Sequence, residues 1–485
     1  MNEPENLNKT FVEKKSNKRR VVTICLVTIA FVLGIIASKV VSNLSSGTQS
    51  TNSQFSILES VYNLMENDWY FGKDKTDLSD SLIESAIKGM VDSQGDTHTQ
   101  YMTADEMNSF SSSLDNTLVG IGVSYQVIND KVLIRSVLPD SPAETVGLQM
   151  GDLIIAIDGN STEGMTTDEI KSAVTGKVGT VVKISVQRGN ENIDYDITRA
   201  QLYTSVTSKV LDNNIGYVNI LSFSSGTSEE LQTHLDNLRN KGVTKIVLDL
   251  RDNGGGYLDT LMKMSAFFMD QGSTVLVQEY RDGSKEIEKT SGAKQYNFEN
   301  IVLLVNENSA SCTEVFAAAM RINEGTKIVG TTTYGKGTVQ VAVTFADGSA
   351  LKYTDAQWLT PNNESIDGIG VTPDYEVKLD PALYESLLDL SEEESYSYDS
   401  VSTKVATAQK YLNFLGYTVD RTDGYFSKDT LSALTSFQND HQLTANGQLN
   451  METGNELNSA LLRAWDDNRE TYDTQLQKAL EIINE

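Results

Sequence analysis

Cysteine and histidine are scarce in this chain of 485 residues, which contains two cysteines and three histidines. Cys25 lies in an apolar run near the start and Cys312 lies far downstream, so a framework of intrachain disulfides is excluded. The histidines, His98, His234 and His441, are also far apart, and no cluster of His, Cys and Asp has the spacing of metal ligands. We therefore predict that the protein uses neither a catalytic metal nor another cofactor.

Basic residues are also few. The chain has 39 lysines and arginines and 67 aspartates and glutamates, which gives a formal net charge of -28. A chain this acidic is a poor ligand for nucleic acid, so that class of partner is excluded. The cations are concentrated at one end: residues 1–20 contain six basic and three acidic side chains and carry +3. The rest of the chain therefore carries -31.

A long apolar run, "VVTICLVTIAFVLGIIASKVV", occupies residues 21–41 and has no charge before Lys39. About 20 apolar residues span a bilayer, and flanking positive charge stays on the cytoplasmic side. We predict a single-pass membrane anchor with residues 1–20 inside the cell and the acidic bulk outside. A cleaved signal peptide is the alternative, but the run is longer than the usual signal core. An exported chain without disulfides favours a Gram-positive-type envelope.

The region beyond the anchor changes character several times, which predicts a multidomain α+β protein. Residues 42–54 are rich in Ser, Thr, Asn and Gln, as is typical of a flexible linker. Apolar positions at helical spacing predict a helical module over residues 55–113. Short alternating strands predict a β-rich domain over residues 114–199. Strands alternate with helices over residues 200–380, which predicts an α/β core with ligands at the strand ends.

The β-rich domain resembles a PDZ domain in two stretches. The first, "VGIGV", is similar to the PDZ carboxylate-binding loop, and the second, "SPAETVGLQMGDLIIAIDG", is similar to the most recognisable core segment of that family. The resemblance implies that a peptide with a free C-terminus adds as a strand to a sheet edge. An unrelated β-rich module is the alternative, but the length of the match argues against it. The loop residues implied to bind the peptide carboxylate are Gly120, Ile121, Gly122 and Val123.

The part of the chain after residue 380 divides into a linker, a small domain and a helix. Residues 381–400 are acidic and poor in apolar side chains, as is typical of a linker. Residues 401–463 resemble a small three-helix peptidoglycan-binding domain, through Gln409 and the motifs "LGY", "DGYF" and "FQ". The resemblance implies peptidoglycan as a partner, although those side chains also suit a domain core. We expect residues 464–485 to form a solvent-facing helix.

The scarcity of histidine constrains the choice of nucleophile in the α/β core. A Ser-His-Asp triad would require His234, which lies alone in the middle of an amphipathic helix, where histidine usually packs. Ser311 is a better candidate, because it follows a buried strand, Ile301–Val305, and stands at the entrance of a helix. The N–H groups and the dipole of a helix start favour an oxyanion. The alternative is a capping role, since Ser311 to Glu314 also fits the capping box S-x-x-E.

The stretch "GTTTYGKGTVQ", residues 330–340, comes within one residue of a phosphate-binding loop. Gly337 replaces the magnesium-binding hydroxyl of that motif, and the residues after it predict a strand where the motif requires a helix. A nucleotide site is therefore excluded. Lys336 can serve instead as the general base of a serine if burial keeps its amine neutral. Gln340 lies an even step along the strand and could hold that amine without adding a charge.

Three motifs in order resemble those of the carboxy-terminal processing (tail-specific) peptidases, which are serine proteases with a Ser-Lys dyad. The motifs are "LDLRDNGGGYLDTL", "SASCTEVFAAAM" and "YGKGTVQ", and the likeness runs from about residue 55 to residue 380. The resemblance implies that Ser311 is the nucleophile, that Lys336 is the general base and that Gln340 orients the lysine.

The same resemblance implies an oxyanion hole made by two backbone N–H groups. One belongs to Cys312, and the other to a glycine of "NGGG", with Gly255 preferred and Gly256 next. The chain departs from the family here, because "SASCTE" stands where the family usually has "SASASE". Cys312 could itself be proposed as the nucleophile at a helix start that lowers its pKa. Ser311 is preferred, because the residue after the nucleophile is placed to donate its N–H.

These expectations combine into a membrane-anchored, extracellular serine endopeptidase that processes or degrades proteins from their C-terminal regions. Its expected partners are protein or peptide substrates with free C-termini, peptidoglycan and the membrane, and the family resemblance suggests a homodimer. One alternative is a non-catalytic PDZ scaffold tethered at the cell wall. Another is a cell-wall hydrolase, which would need a paired-carboxylate or zinc site that the sequence does not offer.

Overall fold

The computed structural model describes residues 53–114, 118–202 and 205–485. The predicted basic arm, 1–20, and the predicted anchor, 21–41, lie outside the described residues. A search of the described residues for a helix with the length and hydropathy of a membrane span finds none.

The first of two compact units ends at Ser93 and is helical in its described part. Its helices are α1 (Ser53–Asn67) and α2 (Leu78–Asp92), and a short 3-10 helix spans Tyr70–Asp74. Several large apolar side chains in this unit are exposed, namely Phe55, Ile57, Val61, Leu64, Tyr70, Phe71 and Met90. The rest of the segment predicted as a helical module belongs to the second unit.

The second unit begins at Gln94 and opens with β1 (Gln100–Met102) and α3 (Ala104–Leu114). The PDZ-like segment follows, and its sheet has the order β3-β4-β5-β7-β8, with β6 on β5. β3 is an edge strand, since it pairs only with β4 within the described residues. The bounds of these elements are β2 (Leu118–Gly120), β3 (Val123–Ile128), β4 (Lys131–Val137), α4 (Pro142–Val146), β5 (Leu153–Ile157), β6 (Asn160–Ser161), α5 (Thr167–Val174), β7 (Val181–Arg188), β8 (Glu191–Thr198) and β9 (Ala200–Leu202).

The α/β core contains a six-stranded sheet in the order β10-β11-β12-β15-β16-β19. Its pairs are parallel except for the antiparallel pair of β10 and β11. Because β12 and β15 are parallel neighbours, the loops that follow them meet at the same edge of the sheet. The bounds are β10 (Val206–Leu211), a 3-10 helix (Asp212–Asn214), β11 (Ile215–Ile220), α6 (Thr227–Asn240), β12 (Lys245–Asp249), α7 (Leu258–Phe268), β13 (Thr274–Tyr280), β14 (Lys285–Lys289), β15 (Asn300–Val305), α8 (Cys312–Glu324), β16 (Lys327–Gly330), β17 (Thr338–Thr344), β18 (Ala350–Leu359) and β19 (Tyr375–Glu376).

A second, antiparallel sheet has the order β1-β18-β13-β14, with β17 on β18. β17 begins directly after Gly337, so a strand follows Lys336 as the sequence predicts, and the helix required by a phosphate-binding loop is replaced by this strand. The combination of separate sheets and helical segments confirms a multidomain α+β protein.

The C-terminal segment is mainly helical and builds its own core around Tyr411, Phe437 and Leu457. Gln409 is fully buried there and donates to the carbonyl of Tyr425 at 2.8 Å, which fits a structural role for this amide. The elements are a 3-10 helix (Pro381–Tyr384), β20 (Ser395–Tyr396), α9 (Thr403–Phe414), α10 (Lys428–Asp440), β21 (Leu449–Asn450), α11 (Met451–Asp467), α12 (Arg469–Tyr472) and α13 (Thr474–Ile482).

The expectation of a solvent-facing tail is wrong, because α13 packs on one face of the six-stranded sheet. Leu476, Ala479 and Ile482 lie in a buried cluster with apolar residues of β11, β12, β15 and β16. The segment is also held by charge: Arg251, just after β12, pairs with Asp473 at 2.7 Å, and both side chains are nearly inaccessible. The tail therefore completes the α/β core.

Candidate active site

Ser311 stands on a sharp turn between β15 and α8. Its backbone has φ 58° and ψ -121°, in a region that residues with a side chain rarely adopt. A serine held on a strained strand-to-helix turn presents its hydroxyl away from the sheet, which is the arrangement that nucleophilic serines use in other hydrolases.

Glu314, one turn into α8, connects this turn to the loop that carries Lys336. Its carboxylate is fully buried, and one oxygen, Oε2, accepts the N–H of Ser311 and the N–H of Lys336, each at 2.8 Å. The other oxygen, Oε1, accepts the N–H of Gly335 at 2.7 Å and the hydroxyl of Thr333. The sequence showed Glu314 only as part of a capping box, and its second role depends on a contact with a loop 20 residues away.

Lys336 is half-buried, and burial is the main cause that lowers the pKa of its amine. The positive charge of Lys352 on β18 lowers the pKa further, whereas Glu314 opposes the shift. The backbone of Lys336 is fixed from the other side, where its carbonyl accepts the indole N–H of Trp358 at 2.8 Å. A lowered pKa increases the neutral fraction of the amine, which is the form that can accept a proton.

The side chains of the predicted catalytic residues are not hydrogen-bonded to one another. Gln340 donates its amide to Thr338 at 2.8 Å and to Thr354 at 3.5 Å. Across the described part of the chain, no hydrogen bond joins Lys336 to Gln340 or to the hydroxyl of Ser311. The structure thus brings Ser311 and Lys336 into one site through their backbones, while the role of Gln340 stays a prediction.

The glycine loop after β12 lies against the nucleophile turn. A Cβ built on Gly255, whose φ is 97°, would lie 2.9 Å from the Cβ of Ser311 and 3.0 Å from the backbone nitrogen of Cys312. The N–H of Gly255, however, donates to Oδ1 of Asn253 at 2.9 Å, so the preferred oxyanion donor is already engaged. No described residue accepts the N–H of Gly256, the second choice, which makes Gly256 the better candidate.

The two residues that depart from the family pattern tie the glycine loop to α8. The thiol of Cys312 donates to the carbonyl of Gly256 at 3.2 Å, and the hydroxyl of Thr313 donates to the carbonyl of Asn253 at 2.9 Å. Burial raises the pKa of the Cys312 thiol to about 11. Because the thiolate is the nucleophilic form, this shift argues against Cys312 as the nucleophile.

His234 is remote from this chemistry, because its Nδ1 pairs with the hydroxyl of Ser208 on β10 at 2.8 Å. His98, which sequence reasoning placed in the helical module, lies close enough to Lys336 for the lysine charge to act on it. Burial first, and then the charge of Lys336, lower the pKa of His98.

The turn that carries His98 is held at this site by two threonines. The hydroxyl of Thr99 donates to Asp96 at 2.6 Å and accepts the N–H of Thr354 on β18 at 3.0 Å. Thr354 is also the residue that receives the amide of Gln340. Asp96 also accepts the N–H of His98 at 2.9 Å, and an aspartate that binds the backbone two residues on is typical of a turn.

The PDZ-like loop occupies the start of the edge strand β3. Gly120 pairs with Ala200 on β9, Ile121 is buried, and Val123 begins β3. Gly122 has φ 90°, and a Cβ there would lie 2.3 Å from the Cβ of Ser141, so only glycine fits. In the described segments, the N–H groups of Ile121 and Gly122 have no acceptor, as a loop that binds a carboxylate requires.

The helix α5 lies beside this edge strand. The hydroxyl of Tyr125, on β3, donates to the carbonyl of Thr167 at the start of α5 at 3.1 Å. An edge strand next to a helix is the geometry that peptide binding by strand addition uses.

Comparison with protein families matches three segments of this chain. Residues 214–377 match "Peptidase family S41", residues 133–188 match "PDZ domain" and residues 401–457 match "Putative peptidoglycan binding domain".

Curated proteins are similar over most of the chain. The "Carboxy-terminal processing protease CtpA" of Bacillus subtilis is 36% identical over 434 residues, which cover 89% of this chain and 91% of that protein. A "Probable CtpA-like serine protease" of Staphylococcus epidermidis is 33% identical and covers 90% of this chain and 88% of its own length. Among solved structures, the photosystem II D1 C-terminal processing protease is similar with a TM-score of 0.42 and 22% identity, over 68% of this chain and 94% of that one.

Proposed function

Since the chain belongs to peptidase family S41 and is a carboxy-terminal processing serine protease with a PDZ domain, we propose that Ser311 and Lys336 carry out the cleavage. The observation that carries this proposal is the buried carboxylate of Glu314, which accepts a backbone N–H from each of the two residues. A single group thereby fixes the separation between the backbones of Ser311 and Lys336.

The reaction proceeds through an acyl-enzyme. Neutral Lys336 takes the hydroxyl proton of Ser311 while Oγ attacks the scissile carbonyl carbon, and the N–H groups of Cys312 and Gly256 receive the oxyanion. The C–N bond breaks as the ammonium of Lys336 returns its proton to the leaving amine. Water then attacks the ester, again losing a proton to Lys336, and the carboxylic acid product leaves as Ser311 regains its proton.

Closure of the Ser311–Lys336 hydrogen bond is a required step in this scheme, because a general base works with its own atom about 2.6–3.2 Å from the atom whose proton it removes. Gln340 assists closure through its carbonyl oxygen, which has no hydrogen-bond partner among the described residues and can accept from the lysine amine. Its amide already points to Thr338 and Thr354, so the side chain is held in one orientation.

Substrates are recognised at the PDZ loop. The peptide adds to the free edge of β3, and its terminal carboxylate is received by the N–H groups of Ile121 and Gly122. Gly120 and Val123 shape the two ends of this loop. Movement of the domain gates the active site in this proposal.

The proposed location of the enzyme rests on an N-terminal and a C-terminal segment of the chain. Residues 21–41 anchor it in the membrane with the basic arm inside, and residues 401–463 hold peptidoglycan, so the protease acts outside the cell. Supporting observations are the charge distribution of the sequence and the peptidoglycan-binding match. The domain boundaries predicted from the sequence, including 114–199 for the PDZ domain and 200–380 for the core, are part of this proposal.

Self-association is a further part of the proposal, supported by the exposed apolar side chains of the first unit. Light scattering on the purified protein measures it directly. A Leu64→Glu variant with the same mass in solution as the wild type would contradict a homodimer formed through this surface.

The mechanism is tested by digestion of a peptide with a free C-terminus, alongside the same peptide with an amidated terminus. We expect Ser311→Ala and Lys336→Ala to lose on the order of 10³-fold or more in kcat/KM. Cys312→Ala keeps the activity. Equal cleavage by the wild type and Ser311→Ala would disprove the mechanism, and equal cleavage of both peptides would disprove recognition of the terminus.

A further inference from the structure

A cavity of about 370 Å³ lies where the PDZ-like segment, the α/β core and the C-terminal segment meet. Ligand sites usually fall in a range of about 300–1,000 Å³. The segments around the cavity pack through an apolar cluster that includes Leu133, Met150, Leu387 and Leu462. We call it the junction cavity, and the lining residues used below are Arg135, Asp252, Glu307, Asn308, Glu385, Trp465 and Arg469.

Arg135, on β4, brings an unpaired guanidinium into the junction cavity. It is half-buried, and no residue of the described part of the chain forms a hydrogen bond or an ion pair with it. Burial lowers the pKa of this guanidinium, and no carboxylate offsets the effect. A partly buried cation without an acceptor has lost solvation that no described residue replaces, and a ligand carboxylate at this position would supply the missing acceptor.

Arg469, on α12, faces the same cavity from the opposite segment. Its Nε is buried and has no hydrogen-bond partner among the described residues. Its guanidinium carbon lies 5.5 Å from the centre of the Trp465 ring, so the side chain is held against an aromatic wall. The junction cavity thus contains two guanidiniums with free donors.

Asp252, Glu307 and Glu385 also line the cavity, and in the described part of the chain none of them forms an ion pair with Arg135 or Arg469. Asp252 accepts the amides of Asn306 and Asn308 at 2.9 and 2.8 Å. Glu307 accepts the hydroxyl of Thr331 at 2.7 Å. Glu385 is paired with Lys410 and accepts the hydroxyl of Thr407.

We propose that the junction cavity binds a carboxylate-bearing fragment of peptidoglycan. A guanidinium matches a carboxylate in two parallel hydrogen bonds, and Trp465 offers a flat apolar face for the body of the ligand. The wall is the favoured source because α11 runs directly from the peptidoglycan-binding match, which ends at residue 457, to Trp465 in the cavity. The site lies outside that match and does not depend on the proposed catalytic residues.

The cavity also reaches the back of the catalytic loops. Asp252 immediately precedes the glycine loop, and Asn308 lies three residues before Ser311. The amide of Asn308 holds Asp252, so the two loops are joined at the cavity wall. An occupant of the cavity would therefore contact both loops.

Calorimetric titration of the full-length protein tests the site with three probes: muramyl dipeptide, its analogue with the free carboxylate amidated, and trialanine with a free carboxylate. We expect the dipeptide to bind, and Arg135→Gln and Arg469→Gln each to bind it at least about tenfold more weakly. Arg281→Gln, an exposed arginine on the turn between β13 and β14, is the control and binds as the wild type does.

Thermal unfolding shows whether Arg135 binds a ligand or stabilises the fold. Without ligand, Arg135→Gln melts at the same or a higher temperature than the wild type, because an unpaired, partly buried charge has been removed. With the dipeptide, only the wild type and Arg281→Gln gain stability. A lower melting temperature for Arg135→Gln, no binding by the wild type, or equal binding of the amidated analogue would overturn the proposal. Trialanine binding that is as tight and equally dependent on Arg135 would overturn the assignment to the wall.

Discussion

Replacing Glu314 by glutamine should disable the enzyme while leaving the substrate-binding surfaces intact. An amide has one acceptor oxygen, so it cannot serve all the donors that the carboxylate serves. The less costly orientation places the NH₂ group at the position of Oε1. There the hydroxyl of Thr333 can turn to accept, whereas the N–H of Gly335 loses its partner.

The size of the effect follows from the hydrogen bonds that change. A bond to a charged group contributes about 1.5–3 kcal/mol and a neutral one about 0.5–1.5 kcal/mol. One bond is lost and the two on Oε2, from Ser311 and Lys336, become neutral, so we expect a cost of about 3–5 kcal/mol. A displacement of about 1 Å between nucleophile and base costs about 10²-fold in rate, so we expect at least that loss in kcat.

The assay compares kcat and KM for a peptide substrate at a temperature where the variant is still folded by circular dichroism. The control is Glu169→Gln, which alters the capping box at the start of α5, where Thr166 is the partner. Glu169 is exposed and holds no second loop, so its replacement should leave kcat unchanged. If Glu314→Gln keeps kcat within a factor of about two of the wild type, or changes KM alone, the carboxylate does not position the dyad.

Three further predictions concern the same site. Cys312→Ala should retain activity, because the thiol only ties the glycine loop, and a dead variant in a peptide assay would instead make Cys312 essential. Lys352→Gln removes a positive charge that lowers the pKa of Lys336, so that pKa rises and the ascending limb of kcat/KM against pH moves to higher pH; an unmoved limb would assign it to another group. Gly337→Ala places a Cβ 2.6 Å from Asp367 and should destabilise the core by about 1–3 kcal/mol, measured as a lower thermal midpoint; an unchanged midpoint would show that the loop adapts.

The sequence is informative where the chemistry is local. Ser311 at a helix start and Lys336 before a strand could be located because their surroundings are set by adjacent residues. The choice among the glycines of "NGGG" could not be made from the sequence, because residue type does not determine which way each backbone N–H points. In the structure the N–H of Gly255 donates to the side chain of Asn253. The second role of Glu314 likewise arises from a tertiary contact.

The positions of the tail and of His98 could not be predicted from the sequence, because both depend on contacts between distant segments. Leu476, Ala479 and Ile482 recur at helical spacing, which indicates an apolar face, but the sheet that this face covers is built from strands about 100 or more residues earlier. His98 reaches Lys336 through the pairing of β1 with β18, two strands that are about 250 residues apart in the sequence. Pairings between such distant segments are not encoded in any local pattern.

The chain is synthesised from its N-terminus, so Arg251 is made before Asp473, with which it pairs in the folded protein. Arg251 and the glycine loop leave the ribosome long before Asp473, which follows the entire C-terminal segment. Until the tail arrives, the guanidinium of Arg251 has Asp249 as a partner but lacks Asp473, and the apolar residues that α13 covers stay exposed. Ser311, Lys336 and the PDZ-like loop are thus made early, but the α/β core is covered by α13 only after the segment that matches a peptidoglycan-binding domain has been made.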